Sequence, residues 1–521
     1  MTKFIQLEQI GALIPDDCTL GVGGFCGFGA PDSILREIGK CYRETGSPRG
    51  ITLVTPATAG DKTEDGWGIS FLREDGLIDV LISSIVMLPK AIQRNVEQNK
   101  IACYFLPLGV FGHLFRAAAG KEPGVLTHVG LHTFCDPRVE GCKMNERAKS
   151  GNREVVRLMD VGDETYLFYP SIKMDVCLLR ASYADEDGNI SIEKEAVHTE
   201  TLEMANAVHN NGGIVIFQVQ EIVKKGTLDP RMVTVHKSAV DYIVKSAPGD
   251  HVQNYKETEY RPELVGEVRI PVAGIPPMKL DVRKILARRA LTELKKGALI
   301  NLGLGVSEGI SLVANEEGII DDISLSIETG LMGGIPLNGP SVGASINPDA
   351  LYKMPDTFDL YNGGGLDQCF LSGAQIDEHG NVNVSKFNGH ITGPGGFINI
   401  TQNTKKICFS GTFTADAEIA IEDGKINITK DGDLLKFVKD VEQITFSGKA
   451  AIETGKDIKY ITERAVFQLT PKGLELIEIA PGVDLQKDII NKMEFLPLIS
   501  ANLKTMDERI FKAERMGFSL Q

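Results

Sequence analysis

The stretch SIETGLMGGIP, residues 326–336, places one carboxylate, that of Glu328, among small and apolar residues. Residues 325–327 are predicted to end a β-strand, and residues 329–336 to form a tight, glycine-rich turn. A carboxylate at such a junction is surrounded by backbone amides and can be approached closely by a ligand. Most glutamates are simply solvated. This position nevertheless suits a carboxylate nucleophile.

Two further glycine-dense loops follow apolar stretches downstream, NGGGLD at 362–367 and TGPGGF at 392–397. If the three loops meet at the carboxyl edge of one sheet, their N–H groups could bind phosphate oxygens or stabilise an oxyanion. The alternative is three turns without a ligand. We favour a ligand site, because tight turns seldom need consecutive glycines.

Composition and charge exclude several classes of function. The chain has 521 residues and a net charge of −15, which disfavours nucleic acid and anionic membranes as general partners. Its nine cysteines form no CxxC pair, and its histidines show no HExxH spacing, so no metal site is expected. The start lacks a signal peptide's apolar core, so the expected location is the cytoplasm.

The sequence is predicted to contain two related halves. Residues 178–190 and 370–382 share the order strand, Asp-Glu-x-Gly-Asn turn, strand. A strand followed by a glycine turn also recurs, near residues 18–25 and 298–305, but at a different spacing, so the first half carries an insertion. Prolines and glycines break up residues 270–277. The predicted organisation is therefore a domain at 1–270, a linker at 271–280 and a domain at 281–521.

Alternating strands and helices, with glycine turns at strand ends, predict the α/β class. We expect two open domains with mainly parallel sheets. A dinucleotide-binding turn at 21–26 is less favoured, because Gly21, Gly23 and Cys26 do not complete GxGxxG. A turn that only lets strand and helix pack closely is the stronger interpretation there.

Motifs along nearly the whole chain occur in the order that is typical of one protein family. GGF at 23–25 with Gly29 and Pro31 is followed by GVFGHLFRA at 109–117, and SIETG at 326–330 by GPGGF at 393–397. This set resembles the family I CoA-transferases, and most closely the propionate CoA-transferase-like enzymes, in which both halves are fused in one chain. Many two-subunit relatives have SENG at the nucleophile, whereas this chain has other residues at 327 and 329.

The resemblance implies an active site between the halves, with Glu328 as the nucleophile of a ping-pong reaction through a glutamyl-CoA thioester. It implies an oxyanion and acyl site at Gly23, Gly24, Phe25, Asn362, Gly363 and Gly364. It implies a CoA-binding site at Gly303, Gly305, Val306, Ser307, Gly395 and Gly396. No permanent cofactor and no metal are implied, and coenzyme A is a substrate.

The expected reaction moves CoA between a short-chain acyl-CoA and a short-chain carboxylate such as acetate, propionate, butyrate or lactate. The resemblance also implies a homodimer or homotetramer. An acyl-CoA hydrolase on the same scaffold is the nearest alternative, because water could then resolve the glutamyl intermediate. A non-catalytic acyl-CoA or sugar-phosphate sensor is a further alternative, which retention of Glu328 disfavours. Acyl selectivity would depend on which of Phe25, Phe28, Met332 and Leu337 face the carbonyl.

Overall fold

The structure is a computed structural model that describes residues 2–64, 66–256, 259–272, 276–303 and 305–520. Two ten-stranded sheets dominate it, one within residues 3–245 and the other within residues 299–505. The prediction of an α/β fold with mainly parallel sheets is confirmed. Helices pack on both sheets, and they span Asp32–Thr45, Lys90–Glu97, Leu108–Ala119, Glu146–Ser150, Thr201–Asn210, Val282–Leu291, Gly309–Glu317, Met354–Asn362, Phe397–Asn403 and Gly448–Glu453.

The first sheet is parallel along its main path. Its strands lie in the order Lys3–Phe4, Tyr242–Lys245, Ile214–Val223, Val176–Asp185, Thr19–Val22, Ile51–Val54, Ile78–Ser83 and Ala102–Phe105, with Ile190–Ser191 and Val233–Val235 added antiparallel. Every residue of Ile51–Val54 and Ala102–Phe105 is buried. Continuous apolar strands of this kind are expected where helices cover both faces of a parallel sheet.

The second sheet is mixed. Its strands lie in the order Ala350–Leu351, Leu331–Met332, Ser324–Ser326, Leu299–Leu302, Gln368–Leu371, Lys406–Ser410, Asp457–Ile461, Ala465–Thr470, Gly473–Ile479 and Leu498–Thr505. The central strands from 299 to 461 run parallel, and antiparallel pairs lie towards both edges. The prediction that residues 329–336 form only a turn was therefore wrong in part, because Leu331–Met332 pairs with the strand before it.

Short pairs of strands complete the fold. They are Ile335–Pro336 with Ser345–Ile346, Gln375–Ile376 with Val382–Asn383, Lys386–Phe387 with His390–Ile391, Thr414–Ala415 with Leu434–Leu435, and Glu418–Glu422 with Lys425–Lys430. A three-stranded antiparallel sheet, made of Gly124–Thr127, Glu164–Pro170 and Arg157–Val161, lies within the first half. It occupies the place in the chain where the sequence repeat predicts an insertion.

The Asp-Glu-x-Gly-Asn turns of the two halves have the same hydrogen bonds. The carboxylate of Asp185 accepts the N–H groups of Asp187 (3.0 Å) and Asn189 (2.9 Å), and the Asn189 amide (2.9 Å). Asp377 makes the corresponding bonds to residues 379 and 381, at 3.0, 2.9 and 2.9 Å. The aspartate fixes the turn by satisfying its backbone donors, which confirms the predicted repeat.

Four further features of the chain concern its linker, its cysteines, membrane spans and metal sites. Part of the predicted linker, Ala273–Ile275, lies outside the described residues. All nine cysteines are free thiols, and only Cys41 is not buried. Among the helices that the structure describes, none is both long and apolar enough to cross a bilayer. Within the same residues, no cluster of three or more His, Cys, Asp or Glu side chains is placed to hold a metal ion.

Candidate active site

Three parallel strands of the second sheet deliver residues to one cavity at their carboxyl ends. The strands are Leu299–Leu302, Ser324–Ser326 and Gln368–Leu371, and Gly303, Glu328 and Ser372 follow them closely. Ligands of open α/β sheets bind outside the carboxyl ends of the strands. The position of Glu328 therefore follows from the sheet topology.

The cavity has a volume of about 240 Å³ and lies between the two halves. The first half lines it with Phe25, Cys26, Ala57, Ile85, Met87 and Leu108. The second half lines it with Leu302, Gly303, Glu308, Ile327, Glu328, Pro336, Leu337, Val342, Leu371, Ser372, Val384, Phe387, Thr392, Gly393, Pro394, Gly395, Gly396, Phe397 and Ile400. Among these described lining residues, the only charged side chains are the two glutamates.

The halves are joined by backbone hydrogen bonds beside this cavity. Gly395 donates to the carbonyl of Ser84 (3.1 Å), and its own carbonyl accepts the N–H of Leu108 (3.1 Å). The N–H of Val86 donates to the carbonyl of Thr392 (2.8 Å). Main-chain bonds of this kind fix the loop at 392–396 against the first half, so both halves define the shape of the cavity.

Glu328 is half-buried at the wall of the cavity. Desolvation raises the pKa of its carboxyl above the ordinary value of 4.5. Hydrogen bonds from its own N–H and from the side chain of Asn301 act in the opposite direction but do not cancel the effect. The carboxylate is thus poorly hydrated but accessible from the cavity, which increases its basicity and its reactivity as a nucleophile.

A buried polar network lies beneath Glu328. The hydroxyl of Tyr361 donates to Ser326 Oγ (2.9 Å), which donates to the carbonyl of Ile300 (3.1 Å). Asn301 Nδ2 lies 3.3 Å from both the Tyr361 hydroxyl and the carbonyl of Ser326. Burial and the charge of Glu328 raise the pKa of the Tyr361 hydroxyl, which therefore stays protonated. The network holds Asn301 beside the carboxylate.

The GGF motif reaches the cavity with its aromatic residue and not with its glycines. Phe25 is 4% exposed and packs on the main chain of Gly343. Gly23 donates its N–H to the carbonyl of Leu178 (3.0 Å), and Gly24 packs against Phe28 and Ala30. The two glycines line a separate small void. Of this motif, the structure brings only Phe25 to the cavity that Glu328 lines.

The loop at Asn362, Gly363 and Gly364 is not brought to the cavity. It connects helix Met354–Asn362 to strand Gln368–Leu371, so it lies at the amino end of that strand. The N–H groups of the two glycines donate to the carbonyls of Asp359 (2.9 Å) and Tyr361 (3.0 Å) and close the helix. Their donors are thus used within the fold.

The predicted CoA-binding residues divide between the cavity and its surroundings. Gly303, Gly395 and Gly396 line the cavity, whereas Gly305 and Ser307 lie in the turn 305–308, which brings Glu308 to it. Ser307 is fully buried, and its hydroxyl has no partner in the part of the chain that the structure describes. The side chain of Val306 lies outside that part.

Sequence reasoning missed several cavity residues. Cys26, Ile85, Met87, Leu108 and Glu308 all line the cavity without having been predicted there. Four of them come from the first half, where their proximity to Glu328 depends on how the halves pack. Cys26 carried one signal, its place directly after GGF, and burial together with the charge of Glu328 raises the pKa of its thiol to about 12.

Comparison with known proteins agrees with this geometry. The family model described as coenzyme A transferase matches residues 5–246. The chain is 44% identical to acetate CoA-transferase YdiF of Escherichia coli K12, over 99% of this chain and 96% of that protein. It is also 44% identical to caffeate CoA-transferase of Acetobacterium woodii, over 99% of both chains.

A solved structure resembles the whole chain. It is the acyl-CoA transferase YdiF of Escherichia coli O157:H7 in a thioester complex with CoA, with a TM-score of 0.92 and 43% identity. The match covers 100% of this chain and 98% of the other. The chain therefore belongs to the coenzyme A transferase family. It is an enzyme that transfers CoA, and the comparisons give no support to the hydrolase alternative.

Proposed function

We propose that the protein moves CoA between a short-chain acyl-CoA and a short-chain carboxylate, with Glu328 as the nucleophile that carries CoA between them. The observation that carries this proposal is the carboxylate of Glu328 at the carboxyl edge of the second sheet, desolvated but open to the cavity between the halves. The related YdiF enzyme was solved as a thioester complex with CoA, which supports the same kind of intermediate in this chain.

The first half-reaction begins when a Glu328 carboxylate oxygen attacks the carbonyl carbon of the acyl-CoA. The carbon–sulfur bond breaks, the CoA thiolate leaves with the electron pair, and an acyl-glutamyl anhydride remains. The thiolate then attacks the side-chain carbonyl carbon of Glu328, which releases the first carboxylate and forms a glutamyl-CoA thioester. No proton is gained or lost, so no general base is needed.

The second half-reaction reverses these steps with a new carboxylate. Its oxygen attacks the thioester carbon of Glu328, which re-forms an anhydride and frees the thiolate. The thiolate then attacks the new acyl carbon, and Glu328 returns to its carboxylate form. Each attack passes through an oxyanion that requires hydrogen-bond donors. Gly396, whose main chain lies against Glu328, is the best-placed of the predicted glycines to provide one.

The cavity is suited to a substrate that has a short acyl chain and no charged group besides its reacting carboxylate. Its volume of about 240 Å³ is smaller than ordinary small-molecule sites of roughly 300–1,000 Å³. Phe25, Leu337 and their neighbours make its lining largely apolar, whereas Phe28 and Met332 do not line it. Of the described residues that do, none is a lysine, arginine or histidine that could pair with a second carboxylate. Acetate, propionate and butyrate fit these properties best.

The test is an exchange assay with purified protein. Acetyl-CoA is incubated with propionate, and the formation of propionyl-CoA is followed by chromatography alongside the total thioester. The proposal expects propionyl-CoA to form while total thioester is conserved, and expects Glu328→Gln to abolish the exchange. Thioester loss that ignores added carboxylate would instead indicate hydrolysis and would refute the transferase reaction proposed here.

A further inference from the structure

The second carboxylate of the cavity has no role in the reaction described above. Glu308 ends the turn Gly305–Glu308, directly before helix Gly309–Glu317, and lines the same cavity as Glu328. The residue is only 8% exposed. An ionised side chain is costly to bury, so its partners need to be identified.

The two oxygens of Glu308 have different surroundings. Backbone N–H groups of Gly305 and Gly339 hydrogen-bond to the carboxylate, and Arg283 Nη2 lies 4.0 Å from Oε2. The other oxygen, Oε1, is fully buried and has no hydrogen-bond partner in the described part of the chain. Oε1 is thus an unused acceptor, buried within a residue that lines the cavity.

The chemistry of the two substrates decides which of them can meet this acceptor. The carboxylate substrate offers only acceptor oxygens and a negative charge, so Glu308 repels it. The pantetheine arm of CoA is uncharged and carries amide N–H donors. It also has to extend into the cavity if the CoA sulfur is to reach Glu328. An orphaned acceptor beside that path matches an amide N–H of the arm.

We propose that Glu308 is a CoA-binding residue whose unpaired Oε1 accepts an amide N–H of the pantetheine arm and so aligns the sulfur with Glu328. This inference rests on the proposed function, because it assumes that the sulfur reaches Glu328. Glu308 would also keep the anionic carboxylate substrate out of this part of the cavity. The substrate would then approach Glu328 from the apolar side formed by Phe25 and Leu337.

The test compares two ligands that share one nucleotide. Free CoA carries the pantetheine arm, and 3′-phosphoadenosine 5′-diphosphate lacks it. Their dissociation constants are measured by calorimetry for the unmodified protein, Glu308→Leu and Glu308→Gln. Glu422→Gln is the control, because Glu422 is an exposed carboxylate that does not line the cavity, so its loss changes only the net charge.

We expect Glu308→Leu to weaken CoA roughly ten- to a hundredfold, as loss of a hydrogen bond to a charged group does, and to leave the nucleotide unchanged. Glu308→Gln should weaken CoA nearly as much. Its single oxygen will be taken by the backbone donors, so that its NH₂ group faces the amide N–H of the arm. Glu422→Gln should bind both ligands normally.

Equal weakening of both ligands, or no weakening of CoA, would overturn the inference. If Glu308→Leu does not fold, Glu308→Gln decides the matter by the same comparison, because it preserves the shape of the side chain. Failure of the proposed function has a different signature. In that case the unmodified protein would not exchange acyl groups, whatever the substitution at position 308 does to CoA binding.

Discussion

Gly396 lies directly against Glu328. A Cβ atom built on Gly396 would be 3.4 Å from Glu328 Cγ and 3.5 Å from its carboxyl carbon. The backbone of Gly396 is in the right-handed helical region (φ −80°, ψ −5°), which any residue can adopt. An added Cβ would therefore fit at van der Waals distance, but it would occupy the space beside the carboxylate.

We expect Gly396→Ala to fold normally but to lose at least about tenfold in kcat/KM, because its methyl group occupies space beside Glu328 that the reacting atoms of the substrate need. Steady-state kinetics with acetyl-CoA and propionate, together with thermal unfolding, check both parts. Gly411→Ala is the matched control. An added Cβ there would be 3.6 Å from its nearest neighbour, and Gly411 does not line the cavity. An active Gly396→Ala variant would contradict the close approach proposed for the substrate.

Glu328→Gln should raise the Tm at neutral pH while it abolishes transfer. Desolvation raises the pKa of Glu328 in the folded protein above the 4.5 of the unfolded chain, so the folded state binds this proton more tightly. The ionised carboxylate therefore costs stability above pH 4.5. The Tm difference between variant and unmodified protein should be largest at pH 8 and should shrink as the pH falls towards 4.5. A constant difference would contradict this reasoning.

The pH dependence of kcat/KM for acyl-CoA should show an acid limb whose midpoint lies above 4.5. Attack requires the ionised form of Glu328, and desolvation raises its pKa. Glu308 also has a raised pKa because it is buried, so the measurement is repeated with Glu308→Gln. The limb should persist in that variant. Its disappearance there would assign the titration to Glu308 instead.

Asn301→Leu should move that acid limb further towards neutral pH. The Asn301 side chain lowers the pKa of Glu328 by hydrogen bonding, and leucine removes this bond while still excluding water. A hydrogen bond to a charged group is worth about 1.5–3 kcal/mol, which corresponds to a shift of about one pH unit or more. A limb that stays in place or moves to lower pH would show that Asn301 does not bond the reactive carboxylate.

The sequence contained enough information for the fold class, the repeat and the position of Glu328 after a strand end. The turns at Asp185 and Asp377 are local, so the residues that fix them are neighbours in the chain. Glu328 was recognisable for a related reason, because its strand and the following glycines lie in one short segment. Where a few adjacent residues determine a conformation, sequence patterns can predict it.

Other parts of the site depend on contacts between distant residues. The glycines at 363–364 were expected beside Glu328. Their loop instead precedes strand Gln368–Leu371, so it lies at the edge of the sheet opposite to Glu328. Ile85 and Glu308 line one cavity although they belong to different halves. Only the packing of the halves brings them together, and nothing in the local pattern around either residue indicates it.

The most direct test of the account is the chemical state of residue 328 after exposure to acyl-CoA without an acceptor. Borohydride reduces a glutamyl thioester to an alcohol, so the side chain loses one oxygen atom and gains two hydrogen atoms, and CoA is released. Peptide mass analysis should find this change at Glu328 only when acyl-CoA was present. Transfer activity in a protein whose residue 328 stays unmodified under the same treatment would contradict the central claim.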